Sequence, residues 1–419
     1  MPKRRTIIIS LIAIVFWGSL SAQRTDPPFL KYMNHPWVDS VFNKLTPDQR
    51  IAQSIWVAGW SNKEIGDEVD LAETIKKYGI GGLIFFQGTP EKQIELTNYY
   101  QKISTVPLLI AMDAEWGVGM RLSGVEKFPY QMTLGAIRND SLIYLFGKAV
   151  GEQCKRMGIN INLAPVADIN NNPRNPVINY RSFGENRDNV ASKASSYMKG
   201  MQDNGVMATA KHFPGHGDTD VDSHLELPVI NHSQQRLDSI ELYPFMKLIA
   251  DGTGCIMTAH LNLPALDTVT NRPSSLSPVI INELLKEKLG FRGLVITDAM
   301  NMKGVTKYYR AGEAEALAFL AGNDVIEFVT DPGAAIAEIN KLIASKKISK
   351  EEADLKCRKI LAMKYQAGLN KLHLVDRNNI SSGVNSGDTK ALIRNLYANG
   401  LTLLRNEGNI IPVKDLQNT

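Results

Sequence analysis

The chain has 419 residues, 44% of them hydrophobic and 21% charged, a composition that excludes disorder and fits a folded globular protein. Three cysteines exclude a disulfide scaffold. The formal charge of +4 falls to +1 once Lys3, Arg4 and Arg5 in a removable leader are set aside, so nothing points to nucleic acid as a partner.

Residues 1–22 read as an export signal. Lys3-Arg4-Arg5 is followed by the apolar run Ile7–Trp17 and by the small residues Ser19, Ser21 and Ala22 before Gln23. The competing reading is an uncleaved anchor, but the run is short against the ~20 residues a membrane span needs. The expectation is an exported protein, periplasmic or extracellular, with no stable membrane span after cleavage.

Eight short apolar runs then recur along the chain: Ile51–Ala58, Gly82–Phe86, Leu108–Met112, Ile159–Ala164, Val206–Ala210, Cys255–Ala259, Leu294–Thr297 and Asp324–Val329. Helical periodicity fills most of the gaps, as in Ser141–Arg156 and Ser233–Leu248, the latter stopped by Asp251-Gly252. Strand and helix alternating in this way predict an α/β fold, a (β/α)8 TIM-type barrel over residues 35–370. A doubly wound sheet would want a Gly-rich fingerprint after its first strand, and Trp56-Val57-Ala58-Gly59-Trp60 is not one. Cys154, Cys255 and Cys357 fall in these patterns and read as buried free thiols. Residues 371–387 read as a polar linker. Residues 388–419, with a helical stretch and then Leu401–Leu404 and Ile410–Val413, read as the start of a second α/β domain that continues in a longer chain.

Polar groups stand where the runs end: Asp113 after the third, Asp168 after the fourth, Lys211-His212 after the fifth, His260 after the sixth and Asp298 after the seventh. Barrel enzymes gather chemistry at the C-terminal ends of strands. Each residue alone also has a structural reading, a helix cap for Asp168 or Asp298 and a core hydrogen bond for His260.

Four constellations could do chemistry. Lys211-His212-Phe213-Pro214-Gly215-His216-Gly217-Asp218 runs into Asp222-Ser223-His224. In an extended segment Asp222 and His224 share a face, and the carboxylate can orient the imidazole for proton transfer. The same loop could offer His212, His216, Asp218, Asp222 and His224 to zinc, although their spacing matches no defined motif, or it could be merely structural. Asp298 sits at the end of a buried strand, where a carboxylate could attack a carbon centre. Asp113-Ala114-Glu115-Trp116-Gly117 pairs acids with an aromatic, which suits sugar hydroxyls and a sugar face but equally a capped loop with a packed Trp. Arg181-Ser182-Phe183-Gly184 offers an arginine for a ligand or for a nearby carboxylate.

Together, Lys211–His224, Arg181–Gly184, Asn162–Asp168 and Ile296–Met300 resemble, in order, the signature of glycoside hydrolase family 3, and within it the β-N-acetylglucosaminidase branch. The resemblance covers roughly residues 35–370, and residues 390–413 are similar to the opening of the family's second domain. It implies a retaining exo-hydrolase that releases terminal β-linked N-acetylglucosamine, with peptidoglycan fragments as the usual substrate of the branch. By the same resemblance Asp298 is the nucleophile, His224 the acid/base and Asp222 its partner. Asp113, Arg181, Lys211 and His212 hold the terminal sugar, and no metal or organic cofactor is required. Three features depart from the pattern. The arginine after Asp113 comes late, at Arg121. Trp116 stands where a glycine is usual. Ala299 follows Asp298 where a second acid is common. A family 3 β-glucosidase or β-xylosidase, an inactive sugar-binding protein and a metal-dependent hydrolase are the competing readings.

Overall fold

The computed structural model describes residues 25–412; the expected leader lies outside them. Seven parallel strands lie in sequence order: β1 (Trp56–Gly59), β2 (Gly82–Phe85), β3 (Leu109–Met112), β4 (Ile161–Asn162), β5 (Met207–Phe213), β6 (Cys255–Thr258) and β7 (Leu294–Thr297). The eighth predicted run, Asp324–Val329, is not a regular strand. It makes single bridges on both sides, Val325 to Ile296 of β7 and Ile326 to Ile55 just before β1. The α/β class is thus observed with seven regular strands rather than eight.

Sequence order and burial explain one another. In β3, Leu109 and Ala111 face one apolar cluster and Ile110 and Met112 the other, the two-residue alternation of a strand buried on both faces. The cluster on the inner face continues through Ile84, Ile161, Met257 and Ile296 into Val38 and Phe42 of the helix Pro36–Lys44 and Ile360 and Leu361 of the helix Lys350–Gln366. These two helices plug the end of the sheet opposite the site. The second cluster lies under the outer helices. There the helices Asp140–Arg156 and Arg187–Asp203 approach at glycines: a Cβ on Gly147 would lie 2.3 Å from the Tyr197 carbonyl oxygen, and one on Gly200 would lie 2.2 Å from that of Tyr144.

Several boundaries differ from the sequence reading, each for a local reason. The first predicted strand, Ile51–Ala58, opens with the last two residues of a helix and a turn. Thr46 and Gln49 form a capping box and Pro47 starts a helix that runs to Ala52, so β1 begins only at Trp56. The predicted helix Ser233–Leu248 begins with Ser233 as its cap, but it stops at Ser239 and a second runs over Tyr243–Ala250. Pro244 cannot donate to a carbonyl one turn earlier, which forces the break. β4 is cut to two residues because Pro165 follows closely, though Ala164 and Pro165 still accept from the amides of Thr209 and Lys211 in β5.

Cys154, Cys255 and Cys357 are buried and free, as the sequence predicts. Within residues 371–387 a short helix, Ile380–Val384, buries its two end residues, and Gln153 donates to the Val384 carbonyl. A longer helix covers Gly387–Gly400. Residues 401–406 have no regular structure, and Leu401 and Leu404 are exposed. No helix among the described residues is long and apolar enough to cross a membrane.

Candidate active site

A cavity of ≈ 310 Å³ opens at the C-terminal ends of the strands. Asp113, Arg181, Lys211, His212, His224 and Asp298 all line it, and Asp222, set just behind, holds His224. The structure therefore brings the seven residues singled out in the sequence to one place.

A bulge in β5 explains two of them. Ala210 pairs with Ile256 and Phe213 with Thr258, so three steps of β5 match two of β6. In a regular strand neighbours point to opposite faces; the extra residue lets both Lys211 and His212 reach the cavity.

The floor is an alternating charge network. The Lys211 Nζ donates to Asp113 Oδ1 at 2.7 Å and lies 2.8 Å from Glu115 Oε1. Arg181 donates to both oxygens of Glu115, through Nη2 at 2.6 Å and Nε at 3.0 Å. Arg121 reaches back to Asp113 Oδ2 at 2.5 Å, so the arginine that comes late in the sequence still pairs with the acid. Burial pushes the Asp113 carboxyl up, but Lys211 and Arg121 outweigh it and hold the group below the usual carboxylate range. Burial likewise opposes Glu115, and Arg181 with Lys211 bring it down to about 2. Burial lowers Lys211, but Asp113 and Glu115 more than restore it, so it is raised overall. Fixed donors and acceptors side by side suit a ligand covered in hydroxyls, each of which both gives and accepts a hydrogen bond.

His212 is set from beneath. Its Nδ1 lies 2.7 Å from Asp168 Oδ2, and the fully buried Asp168 also accepts the backbone amides of His212 and His216. Asp168 therefore ties the two ends of this segment together and caps no helix. Donation from Nδ1 leaves Nε2 as the ring nitrogen that faces the cavity.

Asp298 lines the cavity at the end of β7 and accepts from the Ala299 amide at 2.8 Å. The helix that follows starts at Lys303 with Met302 at its cap, so Asp298 is no helix cap. Burial raises its carboxyl, but His212, His260, the Ala299 amide and Lys211 together leave it lowered and ionised near neutrality. His260 is buried; its Nε2 lies 3.1 Å from the Ala299 carbonyl and its Nδ1 2.7 Å from Ser275 Oγ. A carbonyl can only accept, so Nε2 carries the proton and the ring pins the backbone beside Asp298. Ala299 thus serves through its backbone, where a second acid was the family's usual residue.

The loop after β5 carries His224 at its exposed edge. His216, buried within the loop, meets the hydroxyls of Ser223 at 2.9 Å and Thr219 at 3.1 Å. Burial, then the neighbouring His212, push its imidazole down to about 4, so it is neutral near pH 7. The His224 side chain is 62% exposed and its Nδ1 lies 2.7 Å from Asp222 Oδ1. Asp222 also accepts the His224 amide. Burial raises Asp222, but these bonds from His224 outweigh it and lower it overall.

The zinc set suggested by the sequence is not assembled. His212, His216 and Asp222 are each committed to the partners just described, and Asp218 pairs with His232 at 2.8 Å. Asp218, His232 and Glu241 do cluster, but Arg236 reaches both carboxylates, at 3.8 Å and 3.0 Å, and supplies the positive charge there.

Two cavity acids lie outside the expected set. Glu115 stands in the Asp113–Gly117 segment, yet only the fold reveals that it neutralises Arg181 and Lys211. Glu327, in the eighth run, is buried and bounds the cavity; an acid flanked by apolar residues, Val325-Ile326-Glu327-Phe328-Val329, was the signal for it. Trp116 and Tyr180 also line the wall, and Tyr130 packs between them.

The model of the family described as the glycosyl hydrolase family 3 N terminal domain matches residues 46–363, and the chain belongs to that family. It is a glycoside hydrolase. Beta-hexosaminidase A of Pseudoalteromonas piscicida is 32% identical over 416 residues, covering 88% of this chain and 69% of the relative. The beta-N-acetylglucosaminidase/beta-glucosidase of Cellulomonas fimi is 26% identical, covering 90% and 68%. Among solved structures, a family 3 beta-N-acetylglucosaminidase from Paenibacillus sp. str. FPU-7 superposes with a TM-score of 0.80 at 36% identity, covering 87% of this chain and 70% of the other.

Proposed function

We propose that this protein is an exported retaining exo-glycosidase that removes terminal non-reducing β-linked N-acetylglucosamine, with peptidoglycan fragments as its natural substrate. One observation carries the reading: a half-buried, ionised Asp298 shares a cavity with an exposed His224 that a carboxylate orients. Retaining hydrolysis needs one group to attack and one to move protons. The Asp298 carboxylate attacks the anomeric carbon as the bond to the leaving oxygen breaks, giving a covalent glycosyl ester. His224 gives its Nε2 proton to that oxygen, while Asp222 holds Nδ1 and stabilises the imidazolium. Water then attacks the same carbon, His224 takes up its proton, and Asp298 leaves as carboxylate. Asp113, Arg181, Lys211 and His212 hold the hydroxyls of the sugar through this cycle. We further read residues 324–329 as an irregular eighth stave of the barrel, and residues beyond 388 as the start of a second domain.

Relatives named for hexosaminidase activity support the acetamido sugar. The export reading rests on Lys3-Arg4-Arg5 and the apolar run after them. A second reading, β-glucosidase, is favoured by the double activity in the name of the Cellulomonas relative. A panel of nitrophenyl β-N-acetylglucosaminide, β-glucoside, β-xyloside and β-galactoside separates them. Preference for the acetamido sugar, with β-configured product first in the NMR spectrum, is the expected result. Preference for the glucoside would overturn the substrate, and α-configured product would overturn the double displacement.

A further inference from the structure

Glu327 is the one acid lining the cavity that the mechanism above leaves without work. It is 3% exposed, and its Oε2 is fully buried with no hydrogen-bond partner among the described residues. A buried carboxyl oxygen without a partner is costly, so such a group is retained where something absent from the free protein completes it.

The backbone fixes it firmly. The Glu327 amide donates to Thr297 Oγ1 at 2.9 Å, and its carbonyl accepts from the Met300 amide at 3.1 Å. The next residue, Phe328, has φ +59°, a left-handed conformation that bulky side chains avoid. Strain of this kind persists where the surroundings impose it, often beside a functional group. The chain thus turns directly after Glu327 and leaves the side chain against the cavity.

We propose that the Glu327 carboxyl group hydrogen-bonds one hydroxyl of the sugar held above Asp298, and so positions that sugar and selects for the hydroxyl. The inference rests on the reading of the site as a glycosidase. Burial, then Asp113 and Asp298, drive this carboxyl well above the usual range, against the smaller pull of Lys211 and Arg121. The shift favours the protonated acid, which offers an O–H as well as an oxygen, as a sugar hydroxyl requires. It is not the proton donor to the leaving group. That donor must meet the departing oxygen on the open side of the site, where His224 stands, whereas Glu327 is buried.

The test uses the full chain with nitrophenyl β-N-acetylglucosaminide and its 3-, 4- and 6-deoxy analogues. Glu327→Leu is expected to lower kcat/KM for the parent sugar by about tenfold or more, the effect of one lost buried hydrogen bond. More tellingly, wild type should discriminate against one analogue, and Glu327→Leu should treat that analogue and the parent alike. Glu327→Gln, which keeps a donor and an acceptor, should recover much of the loss and the discrimination. Glu327→Ala gives a second reading of the same loss should the leucine variant not fold. If the variants keep every deoxy penalty of wild type, the proposal fails. It also fails if Glu327→Gln is slow on a disaccharide but normal on the nitrophenyl glycoside, which would make Glu327 the acid. Wild-type silence on every glycoside would instead overturn the glycosidase reading, and this inference with it.

Discussion

Asp298 is partly shielded from water and still ionised, because His212, His260, Lys211 and the Ala299 amide surround it. Asp298→Asn keeps the shape and removes the nucleophile. It should cut kcat by at least about 10³-fold with an unchanged circular dichroism spectrum, and substantial turnover would contradict the covalent step. His224→Ala should cost about 10²–10⁴-fold on a disaccharide and far less on a dinitrophenyl glycoside, whose leaving group needs no proton. Equal losses on both would remove His224 from the acid role. His216 gives a pH signature of its own. The folded protein keeps it neutral down to about 4, while its ordinary value is 6.5. Between those values the unfolded chain binds the extra proton, so stability falls as pH falls. The loss is complete below about pH 4 and is on the order of 3 kcal/mol. Urea unfolding between pH 7 and 4 should therefore show a shallower acid decline for His216→Gln than for wild type.

At the scale of elements, two devices shape the site: the bulge that turns Lys211 and His212 inward together, and the close crossing of the two long outer helices. The crossing reverses an ordinary rule. Gly→Ala in an open helix gains up to about 1 kcal/mol. At Gly200 the added Cβ meets the Tyr144 carbonyl oxygen at 2.2 Å and the Lys148 amide nitrogen at 2.7 Å, both backbone atoms that cannot swing aside. Gly200→Ala should therefore destabilise the protein by about 1–3 kcal/mol, and a raised melting temperature would show that the helices part easily. The elements also show where sequence reading stops. Seven runs had the right type and β7 the right ends. The helix at Pro47–Ala52 was missed although Thr46, Pro47 and Gln49 signal it, because Ile51 to Ala58 was read as one apolar run across the polar pair Gln53-Ser54 that divides it.

For the whole molecule, stability and chemistry occupy opposite ends of the sheet. The plug at one end contains Phe42, buried between the guanidinium groups of Arg50 and Arg358 at 3.8 Å and 4.3 Å. The cavity lies at the other end. Phe42→Ala should lower the unfolding free energy by about 3–5 kcal/mol and leave kcat/KM within about twofold at 25 °C. A large loss of activity with an unaltered unfolding midpoint would show that plug and cavity communicate.

The α/β class, the strand order and the residues Asp113, Arg181, Lys211, His212, Asp222, His224 and Asp298 were legible in the sequence. Short continuous apolar runs and strand-end polar groups are local patterns, and the motifs lie within short stretches of chain. What only the tertiary structure decided is long-range. It decided that Asp168, 44 residues before His212, orients that ring, that Glu115 neutralises Arg181 and Lys211, and that Glu327 is left buried without a partner beside Asp298. Charge state and hydrogen bonding depend on which groups are brought together in low dielectric, and no spacing along a chain records that.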